Sequence, residues 1–585
     1  MFNKIFELIN FFDFKFKLSL VLLFFLTILS GIFEVIIIFS IGFFVEILNS
    51  SNIVLSDGIF SKVFNFLEFE NFQETVSKIA FFIFILYFCG TFIALSNLYL
   101  FSFLSQRVGQ ILRSKLFNYY LSKNWNFSLK KNISEQTEKV GIEIKRISET
   151  ILMSFLIFVS KIILGIIILI SLFKFNYEAT IFCIVFFGLS YFLTFFFVKS
   201  KVKKYGIQIT QSQIKMFKWM SNGFNNLKEV ILYNKKPMFK SKFNQENILY
   251  SNAYATLAFL RLFPKYVIEF FTISIILLAI SLINFQSLSF QELLPVFAIY
   301  IVAGFKLLPI LQNIYATFLQ INSNISSYES IKNELIEIKN NNKIKFEHSF
   351  ADQNEEFKIK TISINNLSFR YSNSIEPVLK NITMEISIGT VNFIYGKSGS
   401  GKSTLVDIIM GLQNFNTGSL KYNNIDQHKI NIKEIFQNFS YVSQNNSLID
   451  GTIKENICFG EIDSNFSKSK FDSAIHLSGL MDFIDSLPKK EDTYIGEYGS
   501  MISGGQKQRI VIARAIYFDR SVIVLDEPTS ALDNKISNNI INNLNLLKKN
   551  KIVIIISHDK NLLKKGDNIF KLENGKILQQ NINDN

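Results

Sequence analysis

Six apolar stretches crowd the first 320 residues, and they decide what the N-terminal half can be. A bilayer core about 30 Å thick takes roughly 20 apolar residues per helix. The stretches run near 17–48, 78–104, 151–173, 177–198, 257–285 and 290–318, and each predicts a membrane-spanning helix. The first follows Lys17, and no small-residue cleavage site comes after a short apolar run. It is therefore expected to remain as a helix rather than leave as a signal peptide. Composition agrees: only 18% of the 585 residues are charged, against about 25% in a soluble domain. The three cysteines, Cys89, Cys183 and Cys458, are far apart. They indicate no disulfide framework or zinc cluster and read as packing residues.

The formal net charge is +14, and its placement matters more than its size. The segment between the second and third stretches carries Arg107, Arg113, Lys115, Lys123, Lys130, Lys131, Lys139, Lys145 and Arg146. The segment between the fourth and fifth is equally rich, from Lys199 to Lys242. The loop after the first stretch is instead acidic, with Asp57, Glu68, Glu70 and Glu74. Positive loops stay in the cytoplasm. The expectation is a multi-pass protein of the plasma (inner) membrane with both termini and both basic loops cytoplasmic. No stacking aromatics are interleaved with these lysines as single-stranded nucleic acid would need, so no nucleic-acid partner is expected.

After residue 350 the pattern changes to strand-like runs, such as Ile552-Val553-Ile554-Ile555-Ile556, alternating with amphipathic stretches, as in an α/β domain. The expected division is a transmembrane domain at 1–335, a linker at 336–355 and a nucleotide-binding domain at 356–585. The strand Val391–Tyr395 runs into Gly396-Lys397-Ser398-Gly399-Ser400-Gly401-Lys402-Ser403-Thr404, and a helix-like run follows. This is GxxxxGK[ST] in a strand–loop–helix context. Its glycines let backbone N–H groups curl round phosphate oxygens, and the helix start adds partial positive charge. Lys402 can reach the β- and γ-phosphates, and Ser403 can ligate Mg²⁺. Downstream, the buried strand Ser521–Leu525 ends in Asp526-Glu527-Pro528. Asp526 fits a Mg²⁺ ligand acting through water. Glu527 faces where an attacking water would sit.

With these residues the chain resembles the ATP-binding cassette family, and the resemblance covers nearly the whole chain. Ile502-Ser503-Gly504-Gly505-Gln506 is similar to the family signature LSGGQ, with Ile for the first Leu. Leu525 to Asp533 resembles the joined Walker B and D-loop. Gln444 resembles the Q-loop glutamine, His558 the switch histidine, and Tyr371 the aromatic that stacks on adenine. Gly496-Glu497-Tyr498-Gly499 resembles the exporter X-loop. The implied fold class is a multidomain membrane protein: a six-helix all-α exporter-type transmembrane domain followed by an α/β P-loop nucleotide-binding domain.

The resemblance further implies ATP and Mg²⁺ as cofactors, with Gln444 joining Ser403 and Asp526 at the metal. It makes Glu527 the general base, oriented with His558, and Lys402 a charge-offsetting group. Ser503, Gly504, Gly505, Gln506 and Asp533 would contact nucleotide. One membrane domain and one nucleotide domain make a half-transporter, most simply a homodimer. Trp125 lies near the expected tip of the first basic loop, and Met220-Ser221-Asn222-Gly223-Phe224 near that of the second. Trp125 reads either as a knob docking on the nucleotide domain or as a membrane-interface anchor.

Charges inside the spans bear on what is moved. Glu34, Lys161, Arg261, Lys265, Glu269 and Lys306 all fall within apolar stretches. Helix–helix pairing, such as Lys265 with Glu269, is one reading; long side chains reaching an interface is another. Phe263-Pro264-Lys265 and Phe305-Lys306 are also similar to segments of bacterial lipid-linked oligosaccharide flippases, where the corresponding arginines meet a lipid pyrophosphate. Here lysine keeps the charge but loses the bidentate fork. The expected function is an ATP-driven exporter or flippase of an amphipathic, lipid-linked substrate, with Lys265 and Lys306 at the substrate. A multidrug, peptide or other lipid exporter is the alternative, and a non-transporting membrane ATPase acting as regulator or channel is another.

Overall fold

The computed structural model describes residues 2–9, 11, 14–49, 72–123, 125, 127, 133–283, 290–340, 357–371, 374, 376–460, 466–529, 532–558 and 568–580. The chain divides into two compact units: Met1–Lys123 with Lys131–Lys345, and Asn124–Lys130 with Phe346–Asn585.

Among its described residues the first unit is built of helices. A short α1 (Phe2–Ile9) precedes α2 (Phe14–Asn49) and α3 (Phe72–Leu121). Next come α4 (Ile133–Glu138), two π-helical segments at Lys139–Glu143 and Arg146–Leu152, and α5 (Met153–Phe175). Then follow α6 (Tyr177–Asn225), the short α7 (Leu227–Leu232), α8 (Lys236–Ile283) and α9 (Phe290–Asn340). All six apolar stretches lie on these long helices, apart from residues 151 and 152, which end the second π-helical segment, and residues 284 and 285, which are outside the described residues. Among the described residues, four segments are long and apolar enough to cross a membrane: Phe14–Leu48, Val76–Leu121, Glu135–Phe175 and Pro295–Asn340. The helices outrun their apolar parts, so most of the basic segments are helical extensions rather than loops. The last one continues to Asn340, inside the expected 336–355 linker. The second basic segment also turns later than expected: α6 runs through Met220–Phe224, and the chain breaks at Asn226.

Close helix contact in this unit depends on small residues. A Cβ on Gly31 would fall 2.7 Å from Ile167 Cδ1, and one on Gly42 would fall 2.2 Å from Ile299 Cγ1. Helix α2 therefore packs hard against α5 and α9 at those two points, as small residues permit between membrane helices. The buried Asn97 amide donates to the Thr27 hydroxyl at 2.9 Å and ties α3 to α2. Cys458 is buried in the second unit, as a packing residue should be, but Cys89 is exposed on α3.

Among its described residues the second unit holds two sheets. The strands are β1 (Thr361–Phe369), β2 (Leu379–Ser387), β3 (Val391–Tyr395), β4 (Thr417–Tyr422), β5 (Ile425–Asp426), β6 (Phe439–Val442), β7 (Val522–Asp526), β8 (Ile552–Ile556), β9 (Asn568–Glu573) and β10 (Lys576–Gln580). One sheet is antiparallel, in order β2-β1-β4-β5. The other runs β10-β9-β3-β8-β7-β6 and is parallel from β9 to β6. The apolar runs fit that placement, since a parallel strand is covered on both faces. Every residue of Ile552–Ile556 is fully buried, and each such side chain stabilises by about 1.5–3 kcal/mol. The main helices are α10 (Lys402–Ile409), α11 (Ile453–Cys458), α12 (Gly504–Tyr517) and α13 (Asn534–Leu547).

Candidate functional site

The parallel sheet lines up four chain segments at one edge. In the neighbour order β3-β8-β7-β6, the C-terminal ends lead to Gly396, to His558, to Glu527 and to Gln444. Ligands of open α/β sheets bind outside these carboxyl ends. Most of the motif residues expected from the sequence thus meet in one place, although they span more than 160 positions.

The phosphate loop is built as its glycines require. A Cβ on Gly396 would lie 2.3 Å from the Leu572 carbonyl oxygen, so no larger residue fits. Gly399 and Gly401 adopt φ of +79° and +102°, the region that favours glycine. The Ser400 hydroxyl is buried without a hydrogen-bond partner among the described residues. Lys402 folds back over the loop, its Nζ donating to the Gly396 and Lys397 carbonyls at 2.9 and 3.0 Å. An ammonium resting on two loop carbonyls and an unpaired hydroxyl in a glycine cradle at a helix start fit a polyphosphate. The Tyr371 hydroxyl lies 3.0 Å from that of Thr404, and the ring packs edge-on against Phe369.

Asp526 and Glu527 follow from the buried β7. Burial and the neighbouring Glu527 charge hold the Asp526 carboxyl above its ordinary range, offset by Tyr441, Lys402 and Ser403. Tyr441 donates to Asp526 Oδ2 at 3.5 Å. Two adjacent carboxylates in a partly dry strand end suit a divalent cation. Among the described residues no three His, Cys, Asp or Glu side chains form a cage, and Mg²⁺ needs none, since it binds through one or two carboxylates plus phosphates.

Glu527 is held from both sides. Gln444 Nε2 donates to its Oε2 at 3.2 Å, and His558 Nδ1 lies 3.1 Å from its Oε1. The residue adopts φ of +50°, an uncommon conformation for a side chain of this size. Its N–H donates to the Ile556 carbonyl, and its own carbonyl accepts from Gln508 Nε2, both at 2.9 Å. Gln508 and Tyr441 were not singled out from the sequence. Both sit beside motif residues, Gln508 two positions after Gln506 and Tyr441 three before Gln444.

The signature residues open α12. Ser503 caps the helix, accepting from Gln506 N at 3.3 Å, while Gln506 Oε1 accepts from Ser503 N at 2.8 Å. Gly504 and Gly505 form the first turn. Asp533 caps α13 by accepting from Ile536 N at 3.2 Å. In the expected X-loop, Tyr498 is 73% exposed with φ of +50°.

The charges inside the first unit split into two places. Lys306 Nζ stands 2.8 Å from Glu34 Oε2, an ion pair without the alignment of a hydrogen bond, and 5.1 Å from the Tyr87 ring centre. Lys265 makes no ion pair with Glu269 among the described residues. Instead it lines a cavity of about 150 Å³ between α8 and α9 with Arg261, Gln312, Asn313 and Tyr315. Gln312 Nε2 is buried there with no partner among the described residues.

Comparison with known proteins fits both halves. The family profile described as ABC transporter transmembrane region matches residues 20–305, and the ABC transporter profile matches residues 379–530. An ATP-dependent lipid A-core flippase of Vibrio vulnificus is 33% identical over 219 residues, 37% of each chain. ATP-dependent lipid A-core flippase 2 of Colwellia psychrerythraea is 38% identical over 241 residues, 40% of this chain and 41% of that protein. This chain thus covers well under half the length of these relatives. A solved structure of a bacterial Atm1-family ABC exporter with ATP bound superposes with a TM-score of 0.70 at 18% identity, over 97% of this chain and 95% of that one; it shows the fold. Two matched regions and a shared fold, in one polypeptide with a membrane-spanning half, place this chain in the ABC transporter family.

Proposed function

We propose that the chain is an ATP-hydrolysing exporter or flippase that moves an amphipathic, lipid-linked substrate, an oligosaccharide lipid or a related lipid, across the inner membrane. The clamp on Glu527 by Gln444 and His558, one strand from the phosphate loop, carries the ATPase part of this reading. Lys397, Ser398, Thr404 and the loop glycines would line the phosphates, and Tyr371 would face adenine. Ser403, Asp526 and Gln444 would hold Mg²⁺, which supplies charge stabilisation to phosphoryl transfer. Glu527 would take the proton of the attacking water, with His558 fixing the carboxylate. Lys402 would leave its carbonyl partners for the phosphate oxygens and offset the developing charge.

A homodimer follows from the half-transporter layout, with Ser503, Gly504, Gly505, Gln506 and Asp533 of one copy closing on nucleotide held by the other. The basic helical extensions favour cytoplasmic termini and a cytoplasmic nucleotide domain. The relatives' names support a lipid substrate.

Lys265 is the stronger substrate residue, because the cavity offers two cations and an unpaired amide donor together. Lys306 would reach substrate only by exchanging its Glu34 partner. The reading is tested in proteoliposomes with a labelled polyprenyl-pyrophosphate glycan. ATP-dependent translocation that falls at least tenfold in Lys265→Ala supports it. Lipid-independent turnover with no translocation overturns it.

A further inference from the structure

Gln508 belongs to none of the roles assigned above, yet it is more enclosed than the metal-site carboxylate. Its side chain is 1% exposed, against 6% for Asp526. It projects from the second turn of α12, the helix that the signature residues open. Its Nε2 donates to the Glu527 carbonyl at 2.9 Å. From the other side, the Glu527 N–H donates to Ile556 on β8. These two bonds bracket a residue with φ of +50°, a conformation that L residues enter only against steric resistance. Strain of this kind persists where surrounding bonds over-determine it. One of the two bonds comes from the sheet, which is rigid, and the other from a helix whose N-terminus is a ligand-facing motif.

We propose that Gln508 is a positioning residue that couples the signature helix to the general base. The bond joins a buried amide to the Glu527 backbone and breaking it costs free energy, so the bond is kept and Glu527 follows the helix. When Ser503 and Gly504 engage a nucleotide phosphate, the shift of α12 is delivered to the Glu527 backbone, and through it to the carboxylate between Gln444 and His558. In a homodimer the signature engages the partner's nucleotide, while Glu527 serves the chain's own. One hydrogen bond then links the occupancy of one site to the geometry of the base at the other. This inference rests on the ATPase reading and adds to it a route for cross-talk between the sites.

The test compares Gln508→Met with Glu527→Gln in the full-length protein in proteoliposomes. Methionine keeps the length and nearly the volume of the side chain and removes its amide, including the donor to Glu527. Gln508→Met is expected to lower kcat by about 10²-fold, as small misplacements of a reacting group do. KM for MgATP is expected to stay within about twofold, and the Hill coefficient for ATP to fall toward 1. Should Gln508→Met fail to fold, Gln508→Glu tests the same point, since it presents an oxygen in place of the donor. A kcat within twofold of wild type in the folded variant, with Glu527→Gln inactive, overturns the coupling and leaves the ATPase reading intact. Equal losses of kcat and nucleotide binding mean a merely structural role and also overturn it. Wild-type turnover in Glu527→Gln overturns the assignment of Glu527 as the base, and no ATP turnover by the wild-type protein overturns the ATPase reading itself.

Discussion

Lys306 and Glu34 form an ion pair at 2.8 Å between α9 and α2, and Glu34 lies between Gly31 and Gly42, where α2 packs hard against α5 and α9. A charge pair set in tight helix packing has little water to fall back on. Truncating either partner alone, in Glu34→Ala or Lys306→Ala, is expected to cost about 2 kcal/mol, less than for a fully buried pair because both side chains keep some exposure. The double variant should cost less than the two losses added, by about 1 kcal/mol or more. Thermal unfolding in detergent checks this. Strictly additive losses would mean that the two side chains do not interact.

The phosphate-loop glycines differ in what they tolerate. Gly396→Ala forces a methyl group against the Leu572 carbonyl, 2.3 Å away, so the loop must move. Gly399 has open space around it, and its cost is conformational alone, about 1 kcal/mol. Gly396→Ala is therefore expected to weaken ATP binding at least ten times more than Gly399→Ala, read by equilibrium binding of a fluorescent nucleotide. Equal effects would contradict the cradle described here.

Much of this arrangement was legible in the sequence, and the reasons are physical. The phosphate loop, Asp526 and Glu527 are local: a strand, a turn and a charge within a few residues. Gln444 and His558 could be named only through resemblance, because the sheet order that brings them to Glu527 is not written in either neighbourhood. Lys265 pairing with Glu269 was a natural reading one turn apart, yet Lys265 faces a cavity and the observed pair joins Glu34 to Lys306 across two helices. Period and propensity do not fix such partners, which depend on how helices pack. Gln508 escaped notice because its role is to hold a backbone carbonyl, a contact without any residue-type signature.

Asp407, on the helix after the phosphate loop, has its carboxyl pushed up to about 6 by burial and by the charge of Asp526. A raised carboxyl holds more protons in the folded chain than in the unfolded one between pH 3.8 and about 6. Stability therefore falls as pH rises through that window, and the penalty is full above it. Asp407→Asn should stabilise the nucleotide-free protein by about 1 kcal/mol at pH 7.5, after allowing for solvent screening. The gain should shrink at pH 5. Unfolding at both pH values, in chelator, checks the sign. A gain that grows on acidification would contradict it.

His558 touches Glu527 at 3.1 Å but is itself 70% exposed at the side chain. It has little structural work to do, so His558→Ala should leave the melting temperature within about 2 °C. Turnover should fall by about 10²-fold, as loss of a group that orients a base does. A fall in stability matching the fall in rate would place His558 among the residues that hold the fold.

The most direct measurement is ATP turnover by Glu527→Gln in the purified full-length protein. The amide keeps the size of the side chain and can still bond Gln444 and His558, but it cannot take a proton. Hydrolysis is expected to drop by at least 10²-fold while MgATP still binds with near wild-type affinity. Turnover near the wild-type rate would contradict the assignment of Glu527, and with it the chemistry proposed for this site.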